Sequence, residues 1–378
     1  NARRNRRMTS RSRKRHRYLT GTLGFLTVRT VVDFHLSNGA DIASLSAHFR
    51  NLLPIVLRPG YQQIGDDEML NGRAGFLASL LELRWVRDEI RSVLDAMVDE
   101  IRSVLDAMVS RQKMVSSGRK YSKKHKSPAK LMFEWYNTEY LGAAHGVSGI
   151  YQMMLRSDWF CSFWDLLDAF CSFWDLLDAS AKSDLKQSVD WLLSTQFSDG
   201  NFPSSSDRIA KGLSEEKGLS EELVHWCHGA SGVLHLLIVA SLVFKEDKYL
   251  ESAERCVNLI WARGISAERC VNLIWARGIL RKGPGICHGV AGNGYAFLLL
   301  FRLTKNDKFL QMAHWFAFVM MAPSFEASAR VPDCPSSASA RVPDCPSSLF
   351  EGWAGALCFL ADLLEPTTAQ FPLLPIPF

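Results

Sequence analysis

The sequence predicts an all-α protein in which inner and outer helices form a ring, an α/α toroid. Two observations carry this prediction. A Gly-x-x-Gly signature followed by a long apolar run occurs five times, and amphipathic runs stand between these segments. An apolar run without a polar face must be buried or span a membrane, whereas an amphipathic helix buries one face only. The alternation therefore favours an inner and an outer layer of helices.

The Gly-x-x-Gly signature marks the start of each apolar helix. Its first glycine stands at Gly72, Gly146, Gly229, Gly289 and Gly352. Because glycine has no Cβ, we expect the helix starts to approach neighbouring backbone closely. We also expect the first backbone N–H groups of each helix to remain open. The longest apolar stretch, 223–244, has an uninterrupted part of only 12 residues, which fits a core helix better than a membrane span.

Five short segments occur twice, back to back, without a difference. They lie at 88–109, 160–179, 211–222, 252–279 and 327–348. A structural repeat keeps its period and lets its residues drift, and these segments do the reverse. Two explanations stay open: overlapping pieces joined in assembling the sequence, or real in-frame duplications. If both copies are present, we expect lengthened helices or peripheral bulges rather than a new fold.

The charge distribution separates the amino terminus from the rest. The first 17 residues carry nine Lys or Arg and no apolar segment typical of a secretory signal. The whole chain has a net charge of only +5, so the remainder is mildly acidic and we expect no nucleic-acid partner. We predict a basic leader, disordered or misassigned, over 1–60 and the toroid domain over 61–378. Nine cysteines without a tight framework favour reduced thiols and a cytoplasmic protein.

Cys-His-Gly occurs twice, in HWCHG at 225–229 and in GICHG at 285–289, each time at the start of an apolar helix. Zinc prefers thiolate and imidazole ligands, and catalytic zinc sites commonly have three protein ligands and an open fourth position. Cys227, Cys287 and His288 would provide such a set on one rim of the toroid. Local sequence makes His228 as good a ligand as His288. The alternative interpretation is that both cysteines are small core residues.

Other candidate residues lie at the same helix starts. His145, in AAHG, either moves a proton during catalysis or hydrogen-bonds the rim. We interpret Glu351, in FEG, as a rim carboxylate with a structural role. Arg73 and His235 have no partner evident in the sequence, and we interpret both as structural.

The sequence resembles the eukaryotic LanC-like proteins, relatives of the bacterial lanthionine cyclases. The resemblance runs from about Glu68 to about Pro372. It is carried by FEWYNTEYLGAAHGVSGIY, LVHWCHGASGV, RKGPGICHGVAGNGYAFL, RVPDCPSSLFEGWAGALCFLADLL and AQFP. It implies a toroid of seven helix pairs around a central zinc, of which five signatures are visible here. We therefore expect the first two pairs to be absent.

The resemblance also implies the ligands and the chemistry. The zinc ligands of the family fall on Cys227, Cys287 and His288. Its eukaryotic members bind glutathione at the zinc and are linked to adding its thiol to dehydroalanine and dehydrobutyrine in formerly phosphorylated proteins. A glutathione-contacting lysine of the family matches Lys282, and an Arg-x-Pro-Asp segment matches Arg341 to Asp344.

Three functions are therefore compared. The first is a glutathione transferase-like enzyme that forms a C–S bond on dehydroamino-acid-containing proteins, with His145 as its proton donor. The second is a non-catalytic glutathione-binding or signalling module, peripherally associated with the plasma membrane. The least favoured is a carbohydrate-active α/α barrel, because such enzymes need two carboxylates across a cleft and Glu351 has no evident partner. Whether the chain turns over is left open.

Overall fold

The computed structural model describes residues 22–36, 67–70, 72–82, 112–156, 177–210, 223–269, 283–322, 348–374 and 376. Helices dominate this part of the chain, as the sequence predicted. Within it, the β-type pairing is one isolated antiparallel bridge between Tyr140 and Ser205. The helices are α1 Thr22–His35, α2 Arg73–Glu82, α3 Gln112–His125, α4 Val147–Leu155, α5 Ala179–Ser194, α6 Ser206–Ala210, α7 Ala230–Phe244, α8 Asp247–Arg269, α9 Val290–Thr304, α10 Asp307–Met321 and α11 Trp353–Asp362.

The chain divides into two compact units, the first made of 1–137 and 157–185 and the second of 138–156 and 186–378. In the first unit α1 packs against α2. Arg73, at the start of α2, donates to the buried carboxylate of Asp67 over 2.6 Å, and the Ser117 hydroxyl donates to the same carboxylate over 2.5 Å. The interpretation of Arg73 as a structural residue is consistent with this buried ion pair.

The second unit shows the two layers that the sequence predicted. The apolar helices α4, α7, α9 and α11 pack against one another in that order, while α8 lies on α7 and α10 lies on α9. All of α4 and the first eleven or twelve residues of α7 and α9 are buried. The outer helix α10 buries one face only, formed by Phe309, Met312, Ala313, Phe316, Ala317 and Met320. Their spacing is that of a helix facing a core.

The turns from inner to outer helix repeat as well. Lys245 ends α7 and Lys305 ends α9, both with a left-handed φ of 56°. The backbone N–H of Lys245 donates to the carbonyl of Ser241, and that of Lys305 to the carbonyl of Phe301. The sequences at these turns, KEDKYL and KNDKFL, have drifted in the way that true structural repeats do.

One duplicated segment lies largely within the described residues. Helix α8 contains the whole first copy of SAERCVNLIWARGI, at 252–265, and continues into the second copy up to Arg269. Here the duplication lengthens a peripheral helix, as expected. The duplications at 88–109 and 211–222 lie outside the described residues, as does nearly all of those at 160–179 and 327–348.

The carboxyl-terminal segment contributes an aromatic side chain to the interior of the second unit. The fully buried ring of Phe371 lies 4.8 Å from that of His235, 5.3 Å from that of Tyr295 and 5.5 Å from that of Trp226, between ring centroids. Two hydrogen bonds between the Gln370 side chain and the Ile376 backbone, 2.9 and 2.7 Å, close the segment around it. None of the described helices combines the length and the apolarity needed to cross a bilayer.

Candidate metal centre

The loops before the inner helices provide their own helix caps. The N-cap residues of α4 and α9 are Gly146 and Gly289, which have no side chain that could cap the helix. Instead, the N–H of Val147 donates to the carbonyl of Tyr140 over 3.0 Å, and that of Val290 to the carbonyl of Gly283 over 3.1 Å. The expectation of open N–H groups at these helix starts is therefore wrong, because each loop folds back and its carbonyls satisfy them.

Neighbouring loops of the second unit are joined through their backbones. The N–H of Cys227 donates to the carbonyl of Cys287 over 3.2 Å, and the N–H of Cys287 donates to the carbonyl of Phe350 over 2.8 Å. A Cβ at Gly142 would overlap the carbonyl of Cys227. The loops thus approach one another closely, but the glycine that this contact requires is Gly142, which precedes the Gly-x-x-Gly signature. The signature glycines Gly146 and Gly289 instead meet carbonyls of their own loops.

This stacking brings two cysteines and a histidine together. The ligand atoms of Cys227, Cys287 and His288 all lie within 4.8 Å of one another, and all three residues are half-buried. They form the sole group of three or more potential metal ligands found in the described ranges. Two thiols and one imidazole at this separation suit a tetrahedral ion with a free fourth position.

The electrostatic environment favours the ionised form of Cys227. A hydrogen bond from Cys287 is the main cause that holds the pKa of the Cys227 thiol well below its usual range, and hydrogen bonds from His225 and His288 and the nearby charge of His228 act in the same direction. Burial acts against them by raising this pKa. These interactions favour the thiolate of Cys227, which is the form in which a cysteine can bind a metal.

The two histidines that follow the cysteines lie in different places. His288 belongs to the group of potential ligands. His228 lies beside Tyr140, with 5.5 Å between the ring centroids, and is not part of that group. Of the two histidines, His288 is therefore the one whose ring nitrogen lies with the two thiols, and its role as a metal ligand stays a prediction.

His145 lies near the ligand group but does not belong to it. Its ring centroid is 6.3 Å from that of Tyr140, which in turn faces His228. The half-buried His145 lies two residues before the start of α4, in the loop next to the one that carries Cys227. Its position is compatible with a substrate bound at the ligand group, and its role as a proton donor stays a prediction.

The other candidate residues have different outcomes. Lys282, Arg341 and Asp344 lie outside the described residues. Glu351 is half-buried, and its backbone N–H donates to the Ser348 hydroxyl over 3.3 Å. His235 is fully buried, and both its ring nitrogens lack a hydrogen-bond partner in the described part of the chain, so it is a structural residue as interpreted.

Two residues near the ligand group were missed by the sequence analysis. His225 lies close enough to hydrogen-bond the Cys227 thiol, and Tyr140 stands between His145 and His228. The signal for His225 was its spacing, two residues before a predicted ligand in HWCHG. Tyr140 had no such signal, because it is far from His228 in the sequence and only the fold brings the two rings together.

Comparison with known proteins supports the fold and the family. The family described as "Lanthionine synthetase C-like protein" matches residues 3–376. "Glutathione S-transferase LANCL1" of Danio rerio is 32% identical over 377 aligned residues, which cover 97% of this chain and 76% of that protein. The solved structure of "Nisin cyclase" matches with a TM-score of 0.50 at 14% identity, covering 96% of this chain and 92% of that one.

These matches confirm the resemblance seen in the sequence and the prediction of an all-α toroid fold. The matched range begins upstream of residue 61, and helix α1 also lies there. The division of the chain at residue 60 stays a prediction.

Proposed function

Because this chain belongs to the lanthionine synthetase C-like family, we propose that it binds zinc through Cys227, Cys287 and His288 and activates the thiol of glutathione for addition to dehydroalanine and dehydrobutyrine residues in proteins. The observation that carries the proposal is the convergence of these three ligand atoms within 4.8 Å. The name of the Danio rerio relative, a glutathione S-transferase, supports glutathione as the thiol.

The donor set fits zinc better than other common metals. Two thiols and an imidazole are ligands of intermediate softness, whereas magnesium and calcium take oxygen ligands. Three protein ligands leave the fourth position for a substrate, as in catalytic rather than structural zinc sites. Zinc bound there would lower the pKa of a thiol in that fourth position, so that glutathione reacts as its thiolate at neutral pH.

The residues of the chain then have to place the substrate and move a proton. The thiolate sulfur bonds to the β-carbon of the dehydroamino acid, the C=C π bond breaks, and its electron pair moves to the α-carbon. His145 gives a proton to that carbon and regains one from the thiol of the next glutathione. The side chain lies beside Tyr140, near the loop of Cys227, which suits a donor on one side of the substrate.

Recognition of glutathione is assigned to charged residues. Glutathione carries two carboxylates, and Lys282 and Arg341 are cations suited to bind them. We assign Asp344 to the amino group of glutathione, as its opposite charge. The family resemblance implies that Lys282 and the segment from Arg341 to Asp344 contact glutathione, and the pairing of each side chain with a group of glutathione follows from their opposite charges.

The proposal is tested with a dehydroalanine-containing peptide, glutathione and the zinc-loaded protein, with the adduct followed by mass spectrometry. Since thiols also add to dehydroalanine slowly without a catalyst, the control is the Cys287→Ser variant at the same concentration. We expect the wild-type protein to accelerate adduct formation and the variant to match the uncatalysed rate. Equal rates for the two proteins would contradict the enzymatic function.

One surface favours the second candidate function, a glutathione-binding module at a membrane. From 112 to 133 the chain contains no acidic residue. Five lysines there are exposed and form no ion pair within the described residues; they are Lys120, Lys123, Lys124, Lys126 and Lys130. The ring of Tyr136, 61% exposed, lies 4.4 Å from that of Trp135 in the same unit. Lysine clusters bind anionic leaflets, and Trp and Tyr favour the membrane interface.

This second function is tested by sedimentation with vesicles of phosphatidylcholine, with and without phosphatidylserine. Each lysine near an anionic surface contributes about 1 kcal/mol, so three changes to glutamine should weaken binding about 100-fold. The test variant changes Lys120, Lys123 and Lys124, and the matched control changes Lys245, Lys305 and Lys308. Binding that needs phosphatidylserine and is lost only in the test variant supports this function, and equal loss in both variants contradicts it.

A further inference from the structure

A third histidine lies at the ligand group without belonging to it. His225 precedes Cys227 by two residues and is 7% exposed. Its ring centroid is 6.0 Å from that of His288, and its side chain is within hydrogen-bonding distance of the Cys227 thiol. The group of residues whose ligand atoms converge contains Cys227, Cys287 and His288 but not His225. His225 therefore contacts a ligand rather than the position of the ion.

The backbone on both sides of His225 is held in place. Its own N–H donates to the carbonyl of His228 over 2.8 Å, which closes a tight turn around Cys227. The carbonyl of Val224 accepts from the Asn293 side chain on α9 over 3.2 Å. On the other side, the fully buried ring of Trp226 packs 5.2 Å from that of Phe350. The backbone that carries the His225 side chain is consequently fixed beside Cys227.

The main-chain N–H groups of the two cysteines are engaged elsewhere. Cys227 donates its N–H to the carbonyl of Cys287, and Cys287 donates to the carbonyl of Phe350. Neither group can therefore stabilise the thiolate of its own residue. A side-chain donor beside Cys227 fills this role, and a charge-assisted hydrogen bond to a thiolate is stronger than one between neutral groups.

We infer that His225 is a positioning residue whose ring N–H donates to the Cys227 sulfur, orients it toward Cys287 and His288, and withdraws part of its negative charge. This inference rests on the proposed function. With a substrate thiolate in the fourth position, three thiolates would surround one divalent ion. A donor on one of them offsets the excess negative charge, so His225 should influence binding of the substrate thiol as well as that of the metal.

The test measures metal binding directly. Metal-free protein is titrated with Co²⁺ against a competing chelator, because thiolate ligands give Co²⁺ sulfur-to-metal charge-transfer bands. Outer hydrogen-bond partners of metal ligands contribute roughly 10–100-fold to affinity. We expect His225→Phe to bind Co²⁺ at least about 10-fold more weakly. Its charge-transfer band should move to lower energy, because a sulfur that has lost its hydrogen bond donates electrons more readily.

Conservative variants separate positioning from general structural damage. Asparagine places an N–H near the Nδ1 position of histidine and glutamine places one near Nε2, so either His225→Asn or His225→Gln should restore the band position and most of the affinity. The matched control is His314→Phe, the same change at an exposed histidine of α10. Circular dichroism verifies that each variant is folded. If His225→Phe does not fold, the Asn and Gln variants still test the role of the ring N–H.

The outcomes distinguish this inference from the proposed function. A wild-type chain that binds neither Co²⁺ nor Zn²⁺ contradicts both. A wild-type chain that binds the metal, with a His225→Phe variant of equal affinity and spectrum, overturns the role of His225 and leaves the proposed function standing. A His225→Phe variant that loses one nitrogen ligand by X-ray absorption makes His225 a ligand and also overturns the inference. A shifted band that is rescued by Asn or Gln supports it.

Discussion

The two Cys-His-Gly loops have the same three letters and different geometries. In the second loop, Gly289 is extended with a φ of −113°, and the carbonyl of Gly283 caps the helix that follows. In the first loop, Gly229 has a positive φ of 95°. There the side-chain oxygen of Asn201 accepts a hydrogen bond from the N–H of Ala230 over 2.9 Å. The first loop therefore ends in a different turn, and its histidine lies beside Tyr140 instead of the ligand group.

This difference shows that the surroundings of a motif decide which of its residues joins the group of potential ligands. Both loops present a cysteine at the same place, because backbone hydrogen bonds hold Cys227 and Cys287 side by side. The position of the histidine after the cysteine depends on the turn that leads into the helix. The turns differ because the first N–H of the helix donates to the Asn201 side chain in one loop and to a carbonyl of the loop itself in the other. One loop contributes Cys227 alone, whereas the other contributes both Cys287 and His288.

The largest expected effect comes from replacing Cys287, one of the two cysteines that the loops hold side by side. Cys287→Ala removes a thiolate ligand, and we expect zinc affinity to fall by more than the roughly 10–100-fold that loss of an outer partner costs. Elemental analysis of the purified protein should give about one zinc per wild-type chain and none in the variant. The control is Cys256→Ala, a buried cysteine on α8. Zinc retained by the Cys287 variant would remove the basis of the comparison.

The histidines give the sharpest comparison between the loops. His288→Ala should lose zinc affinity to a similar extent as a cysteine variant, because it also removes a ligand. His228→Ala should retain zinc, because its ring lies beside Tyr140 outside the ligand group. Competition with a zinc indicator measures both variants under the same conditions. If the two variants lose equal affinity, the distinction between the loops is wrong.

The fold could be predicted from the sequence further than the site could. The starts of α4, α7, α9 and α11 follow from the Gly-x-x-Gly signature, and both cysteines follow from its alignment with Cys-His-Gly. Local sequence could not choose between His228 and His288, because Asn201 is remote in the chain. It also could not show that loop carbonyls cap the helices, because those bonds span seven residues without any side-chain signature.

Because the loops lie so close together, we expect a larger side chain at Gly142 to have an intermediate effect on stability and zinc binding. Its missing side chain leaves room for the carbonyl of Cys227, which is backbone and cannot turn away. Gly142→Val should destabilise the protein by about 1–3 kcal/mol, as overpacking does, and weaken zinc binding by displacing the first loop. The matched control is Ala179→Val, which places a valine at the exposed first residue of α5. Thermal unfolding and zinc competition measure both variants.

The helices after the two loops extend the comparison into the interior. The sixth residue after the loop glycine is His235 on α7 and Tyr295 on α9, and both rings pack on Phe371. The Tyr295 hydroxyl donates to Asp362 over 2.8 Å, whereas the His235 nitrogens have no hydrogen-bond partner within the described ranges. Burial lowers the pKa of His235 to about 3. His235 is therefore neutral at physiological pH.

Replacing His235 should have the smallest effect at neutral pH, and its effect on stability should appear as the pH falls. An exposed histidine titrates near about 6.5, so below that pH the unfolded chain binds a proton that folded His235 does not bind until about pH 3. Stability consequently falls as the pH falls through this window, and between pH 7 and pH 5 the loss is about 2 kcal/mol. Chemical denaturation of His235→Leu should lack this part of the acid sensitivity. Identical pH dependence in both proteins would mean that His235 is protonated in the folded state.

The most direct test of the account is zinc X-ray absorption on the purified chain, without and with glutathione. Without glutathione, we expect two sulfur ligands at about 2.3 Å, from Cys227 and Cys287, and nitrogen or oxygen ligands at about 2.0–2.1 Å. Glutathione should raise the number of sulfur ligands to three as its thiol takes the fourth position. A single sulfur ligand, or a spectrum that glutathione leaves unchanged, would contradict the convergence of the two loops on one thiol-binding metal.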